Sequence, residues 1–244
     1  MALSLGVATA LGSAVVVTSG LATAGGAGSQ GTHPRGPRPD VVIVGESLVQ
    51  QVAPIETRLL RQAGYVPAVA ARNREDLGSP FVQSQVRQAV HQGTPIVVLA
   101  TAANDAYHGA GTAPPAAWAP ALARYRRTLA STLAALSQQC TVLIDTRVAA
   151  TSKWYRLDRI GPAIDAAVDA SARRRPAPVE VVRWSAMSAG HGSDWFWTDG
   201  LHFGDPDRGN TGWHPAGATA FANAIASGIE ACSSDLRART ATRR

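Results

Sequence analysis

A three-layer α/β/α domain built on a central five-stranded parallel sheet is the fold this sequence predicts, on three observations. Apolar, β-rich runs recur at Val41 to Val44, Tyr65 to Ala70, Pro95 to Ala100, Thr141 to Asp145 and Val179 to Trp184, each short and nearly unbroken, as strands buried on both faces should be. Helical patterns fill the intervals, and βα units in series imply parallel neighbours joined by right-handed crossovers, with helices on both faces of the sheet. No internal repeat marks a second domain, and 244 residues that are 45% hydrophobic and only 16% charged suffice for one large core.

The first 39 residues stand outside that pattern. Apolar residues run from Leu3 to Leu21, no charged side chain precedes Arg35, and Ala22-Thr23-Ala24 has the small-x-small form of a cleavage site. This reads as a secretory signal followed by a flexible Gly/Pro-rich linker. The basic start usual for such signals is missing, and a retained membrane anchor or a disordered leader are the alternatives. The folded domain is then expected over residues 40–232, with a basic tail at 233–244.

Within the domain, the first helix is announced by Leu48, Val52, Ile55 and Leu59 at steps of four and three, with Pro54 inside it as an expected kink. Helices are also expected at Phe81 to His91, at Trp118 to Leu136, at Asp158 to Arg174 and at Pro215 to Ala231. In the last, Phe221, Ile225 and Ile229 form the apolar stripe, and Pro215 suits a first turn.

Charge narrows the function classes. The formal charge of +6 and pI near 10.1 invite a nucleic-acid reading, but Lys153 is the only lysine and the arginines scatter, with small clusters at Arg173 to Arg175 and in the tail. No aromatic-interleaved basic stripe is present, so nucleic acid is not an expected partner. The two cysteines, Cys140 and Cys232, would form one disulfide in an exported chain. Two separate buried thiols is the other reading.

Ligands of open parallel sheets bind outside the carboxyl ends of the strands, and three loops there carry reactive groups. Ser47 follows the first strand and opens a helix, where unpaired N–H groups favour developing negative charge; it would also serve as an ordinary N-cap. Asn104 and Asp105 follow the third strand in TAANDAYHG and offer an amide donor, although such pairs often simply form turns. The long loop after the fifth strand contains WTDGLHF, where Asp199 and His202 are spaced for a carboxylate to orient an imidazole.

In this order the blocks resemble the SGNH hydrolases, the GDSL-type lipases and esterases, over residues 40 to about 231. Gly45-Glu46-Ser47 stands where that family has Gly-Asp-Ser. Asn73 and Gly78 have the spacing of its second block, Ala102-Ala103-Asn104-Asp105 stands in place of Gly-x-Asn-Asp, and Asp199-Gly200-Leu201-His202 matches Asp-x-x-His in full. The resemblance implies a flavodoxin-like SGNH fold. It also implies a serine esterase with Ser47, His202 and Asp199 as catalytic residues, and with the Ser47 and Gly78 N–H groups and the Asn104 amide as the oxyanion hole. Glutamate at 46 and alanine at 102 depart from the pattern and leave a non-catalytic binding protein as an alternative, beside an acyltransferase acting on a glycan.

His214 in WHPAG is the rival base, but it lacks an Asp three residues upstream. Asp205, Asp207 and Asn210 read as a solvated turn rather than a calcium loop, since the later bidentate glutamate is missing. The aromatics Trp195, Phe196, Trp197, Phe203, Trp213 and Tyr107 either wall a substrate site or pack the long loop. The expected enzyme needs neither metal nor cofactor. It is expected to act as a secreted or envelope-associated monomer on small-molecule or glycan esters, without stable membrane insertion after signal cleavage.

Overall fold

The computed structural model describes residues 38–110, 114–147, 157–175 and 177–242, so the expected leader and Lys153 lie outside the described residues. Strands β1 (Val41–Gly45), β2 (Pro67–Ala71), β3 (Ile96–Ala100), β4 (Cys140–Ile144) and β5 (Val179–Val182) pair in parallel in the order β2-β1-β3-β4-β5. The register sets Gly45 beside Ala71 on one side and Ala100 on the other. β1, β3 and β4 are buried along their whole length, whereas the edge strands β2 and β5 are mostly half-buried. The unbroken runs of β-branched residues are explained by that sandwiching.

Helix α1 (Ser47–Gln62) packs with α7 (Pro215–Thr242) on one face. On the other lie α2 (Pro80–Gln92), α3 (Ala102–Ala110), α4 (Trp118–Ala135) and α5 (Leu157–Arg173), linked through α2–α4, α3–α4, α3–α5 and α4–α5 contacts. Pro54 is accommodated inside one continuous α1. α7 lies close to the sheet because Gly228 faces it: a Cβ there would sit 2.7 Å from Val142 Cγ1 and 2.8 Å from Val182 Cγ2.

Three local differences from the sequence reading have physical causes. α7 continues to Thr242, because nothing after Ala231 supplies a glycine or proline stop and Leu236 still packs on the core. Trp184 does not end β5 but opens the short α6 (Trp184–Met187). The segment after β3 is helical, and Ala102 is its first residue. Alanine suits that backbone better than glycine would, so its presence there carries no strain.

Cys140 and Cys232 are joined, with 5.7 Å between their Cα atoms, tying the start of β4 to α7. Among the described residues, no helix is long and apolar enough to cross a membrane.

Candidate active site

Sheet order places the reactive groups. β1 is followed by a connection to β2 on one side, and β3 by a connection to β4 on the other, so the crevice between β1 and β3 is the switch point at which α/β sheets bind ligands. Ser47 follows β1 and Asn104 follows β3. The β1–α1 turn is tight: a Cβ at Gly45 would lie 2.3 Å from Val49 Cγ2. Glu46 stands at the N-cap position with extended backbone and makes no capping bond, and Ser47 is the first helical residue.

One predicted group, His202, reaches Ser47 from 155 residues away in sequence, and a second, Asp199, backs it. Ser47 Oγ is 2.8 Å from His202 Nε2, and His202 Nδ1 is 2.6 Å from Asp199 Oδ2. Asp199 Oδ1 meanwhile accepts from the backbone N–H groups of Leu201 and His202 at 2.9 and 3.0 Å. Burial pushes the Asp199 carboxyl upward, but the His202 ring and those two N–H groups outweigh it, and the carboxyl stays below its ordinary range. All three side chains are buried. A carboxylate fixed in this way orients an imidazole with its second nitrogen toward a hydroxyl, the arrangement of a nucleophile, its base and the base's orienting partner.

Asn104 sits in the first turn of α3, and its Nδ2 donates to the Glu75 carbonyl at 3.0 Å. Asp105 accepts from Leu77 N–H at 3.1 Å, so the same turn anchors the loop that follows β2 at two points. Burial raises the Asp105 carboxyl to about 8, and Asp76 adds to the rise. Gly78 lies exposed on the approach to α2, facing Thr128 of α4 and Asp76. Arg74, in the same loop, takes a left-handed backbone (φ 64°) that disfavours a side chain and bends the loop.

His214 is elsewhere. Its N–H donates to the Phe203 carbonyl and its carbonyl accepts from Ala218, making it the residue that enters α7. Asp205 spends its carboxyl on Asp207 N–H and its carbonyl on Asn210 N–H, a local turn. Four aromatics pack the loop rather than wall a site: Trp184, Phe196, Phe203 and Phe221 are each at most 1% exposed and meet mostly edge to face. Trp213, by contrast, is 36% exposed.

Two residues not singled out in the sequence hold this loop. Arg147, three residues past β4 and 5% exposed, donates Nε to the Gly200 carbonyl at 2.9 Å and its two terminal nitrogens to the carbonyls of Ser188 and His191. Its guanidinium lies 3.7 Å from the Phe196 ring centroid. Burial lowers it to about 10, so it stays charged at neutral pH. Gln51, one turn after Ser47, donates to the Gly204 carbonyl and to Asn210 Oδ1 at 2.8 Å each and accepts from Phe203 N–H at 3.0 Å. The one available signal for Arg147 was its place at a strand end; Gln51 gave itself away only as an amide on the apolar stripe of α1.

No protein-family model and no curated protein sequence matches the chain. Solved structures do. The C-terminal catalytic domain of peptidoglycan O-acetyltransferase A (OatA) from Streptococcus pneumoniae, solved with a methylsulfonyl adduct, aligns with TM-score 0.58 and 16% identity over 80% of this chain and 94% of that one. The acetyl xylan esterase AlAXEase aligns with TM-score 0.55 and 14% identity over 78% and 99%. Axe2, an acetylxylan esterase from Geobacillus stearothermophilus, gives 0.52 and 12% over 78% and 93%. At these identities the likeness is one of fold, and it upholds the architecture expected from the SGNH resemblance.

Proposed function

We propose that the protein is a serine esterase that removes short acyl groups, acetyl foremost, from glycan or small-molecule esters through a covalent acyl-enzyme. The observation that carries this reading is the buried chain from Ser47 Oγ through His202 to Asp199, at 2.8 and 2.6 Å. His202 accepts the hydroxyl proton as Oγ attacks the ester carbonyl, and Asp199 holds the ring and stabilises the imidazolium. The tetrahedral oxyanion is received by the N–H groups of Ser47 and Gly78 and by the second hydrogen of the Asn104 amide, each donor contributing roughly 3 kcal/mol to the barrier reduction. Support for Gly78 is that its N–H has no partner among the described residues. His202 then protonates the leaving alcohol, and water activated by the same ring releases the acid. Residues of this chain suffice for every step.

Export to the cell surface or beyond belongs to the same proposal. It is supported by the Cys140–Cys232 bond, which persists in oxidising compartments, together with the signal-like leader. The likeness to an O-acetyltransferase domain favours a second reading, in which an alcohol of a glycan replaces water as acyl acceptor.

The deciding experiment is labelling with a serine-directed fluorophosphonate alongside p-nitrophenyl acetate turnover. Wild type should label at Ser47 and turn over, while Ser47→Ala should do neither, with turnover down at least about 10³-fold. A wild type that does not label, or whose turnover equals that of the alanine variant, removes the esterase and leaves a binding protein. Transfer of acetyl to an added glycan faster than to water would establish the second reading.

A further inference from the structure

Ser47 has two acceptors and one proton. Its Oγ lies 2.8 Å from His202 Nε2 and donates to Glu46 Oε2 at 3.0 Å. With His202 Nδ1 engaged by the Asp199 carboxylate, Nε2 carries the lone pair and needs that same proton. A carboxylate at Glu46 therefore competes with the base. A neutral carboxylic acid does not, because its O–H donates to Oγ and leaves the hydroxyl hydrogen for Nε2. Glu46, Ser47 and His202 are each at most 3% exposed, so bulk water does not relieve the conflict.

The surroundings favour the neutral form. Glu46 borders a cavity of about 10 Å³ whose walls include Ala100, Ile144, Trp184 and Phe221. Burial raises its carboxyl from 4.5 to about 7, against the lowering pull of His202 and of the Ser47 hydroxyl. The charged groups around it come from three elements. His202 faces it from the long loop, Asp145 and Arg147 border the same cavity from the end of β4, and Asp105 on α3 is raised in part by it. Asp145 is engaged by the N–H and hydroxyl of Ser185, and Arg147 by three carbonyls. Neither is bonded to Glu46.

We propose that Glu46 is an additional catalytic residue of the acyl transfer proposed above: neutral, it donates to Ser47 Oγ and directs the hydroxyl proton to His202; ionised, it takes that proton and holds the serine back. The inference rests on that reading of Ser47. In the attack, the bond from Oγ to the carbonyl carbon forms, the Oγ–H bond breaks toward His202 Nε2, and the carbonyl π pair moves onto oxygen. Collapse expels the alkoxide, which takes the proton from His202. Glu46 keeps its own proton throughout. In the acyl-enzyme, Oγ has no hydrogen left, and only a donor at position 46 avoids setting lone pairs against each other at 3.0 Å.

Activity then requires a protonated Glu46 and falls as pH rises through about 7. The test is the second-order rate of fluorophosphonate labelling between pH 5 and 9.5, which avoids the alkaline hydrolysis of ester substrates. Wild type should give a bell whose alkaline limb belongs to Glu46. Glu46→Gln, whose amide donates at every pH, should keep the acid limb and lose the alkaline one, labelling at least about tenfold faster than wild type at pH 9. Glu46→Ala, with neither donor nor acceptor, should label more slowly but also without an alkaline limb. Thermal melting identifies which variants are folded. An alkaline limb that survives in either folded variant overturns the proposal, and so does a wild-type rate that climbs without a maximum to pH 9.5. Complete failure of wild type to label removes the serine chemistry itself, a different result from labelling with an unchanged profile.

Discussion

Glu56 gives a stability prediction independent of the active site. It lies on α1, the helix that packs with α7, is 0% exposed, and neither of its carboxyl oxygens has a hydrogen-bond partner among the described residues. Burial raises the carboxyl from 4.5 to about 8. The folded state thus holds a proton that the unfolded chain releases above 4.5. This contribution to stability is fully present below that value and is lost as pH rises through about 8. Between pH 4.5 and 7, at about 1.36 kcal/mol per pH unit, the loss is about 3 kcal/mol. Glu56→Gln keeps the shape and does not titrate. Urea unfolding followed by tryptophan fluorescence, run on both proteins across this range, should show the variant gaining about 3 kcal/mol on wild type, since contributions from other groups cancel in the difference. A gap that stays constant with pH would mean that Glu56 is ionised or water-filled in the folded protein, and would refute the reasoning.

Two further predictions concern the scaffold of the site. Arg147→Met removes three carbonyl partners and frees the turn between Asp199 and His202. A displacement of about 1 Å there should lower kcat roughly 10²-fold with KM little changed, and Arg147→Lys should recover only part of it. If folded Arg147→Met, checked by melting, retains wild-type kcat, the arginine does not position the base. Replacing both Cys140 and Cys232 by alanine opens a loop with a sequence separation of 92, worth about 4.6 kcal/mol on chain entropy alone. The urea midpoint should fall and become indifferent to reductant, and an unchanged midpoint would count against the bond as a stabiliser.

The sheet was legible because burial on both faces writes itself as continuous apolar runs, and those of β1, β3 and β4 are fully enclosed. Helix ends were less legible. α7 lacked a stop signal, and the short α3 and α6 are too brief for a periodicity to show. In the site, Asp-x-x-His was readable because its geometry is local, and that same spacing favoured His202 over His214 as the partner of Ser47, whereas the distance across 155 residues is a property of the fold alone. The aromatic cluster could not be read either way, since one composition serves a binding wall and a packed loop alike; Trp184 and Phe221, from α6 and α7, complete it from outside the loop.

How a hydroxyl and an imidazole 155 residues apart are held at hydrogen-bond distance follows from Gln51. It lies four positions after Ser47 on α1, so one helical turn fixes its place relative to the hydroxyl. Its amide grips Phe203 N–H and the Gly204 carbonyl, the two residues that directly follow His202. The span from the Ser47 hydroxyl to the His202 ring is therefore one helical turn and one side-chain amide, with every polar atom of that amide in use. Arg147 closes the opposite side through Gly200, inside the Asp199–His202 turn. A loop clamped on both flanks of its imidazole holds that ring in place before any ligand arrives, and in the proposed mechanism such preorganisation spares the entropic cost of ordering the base at each turnover.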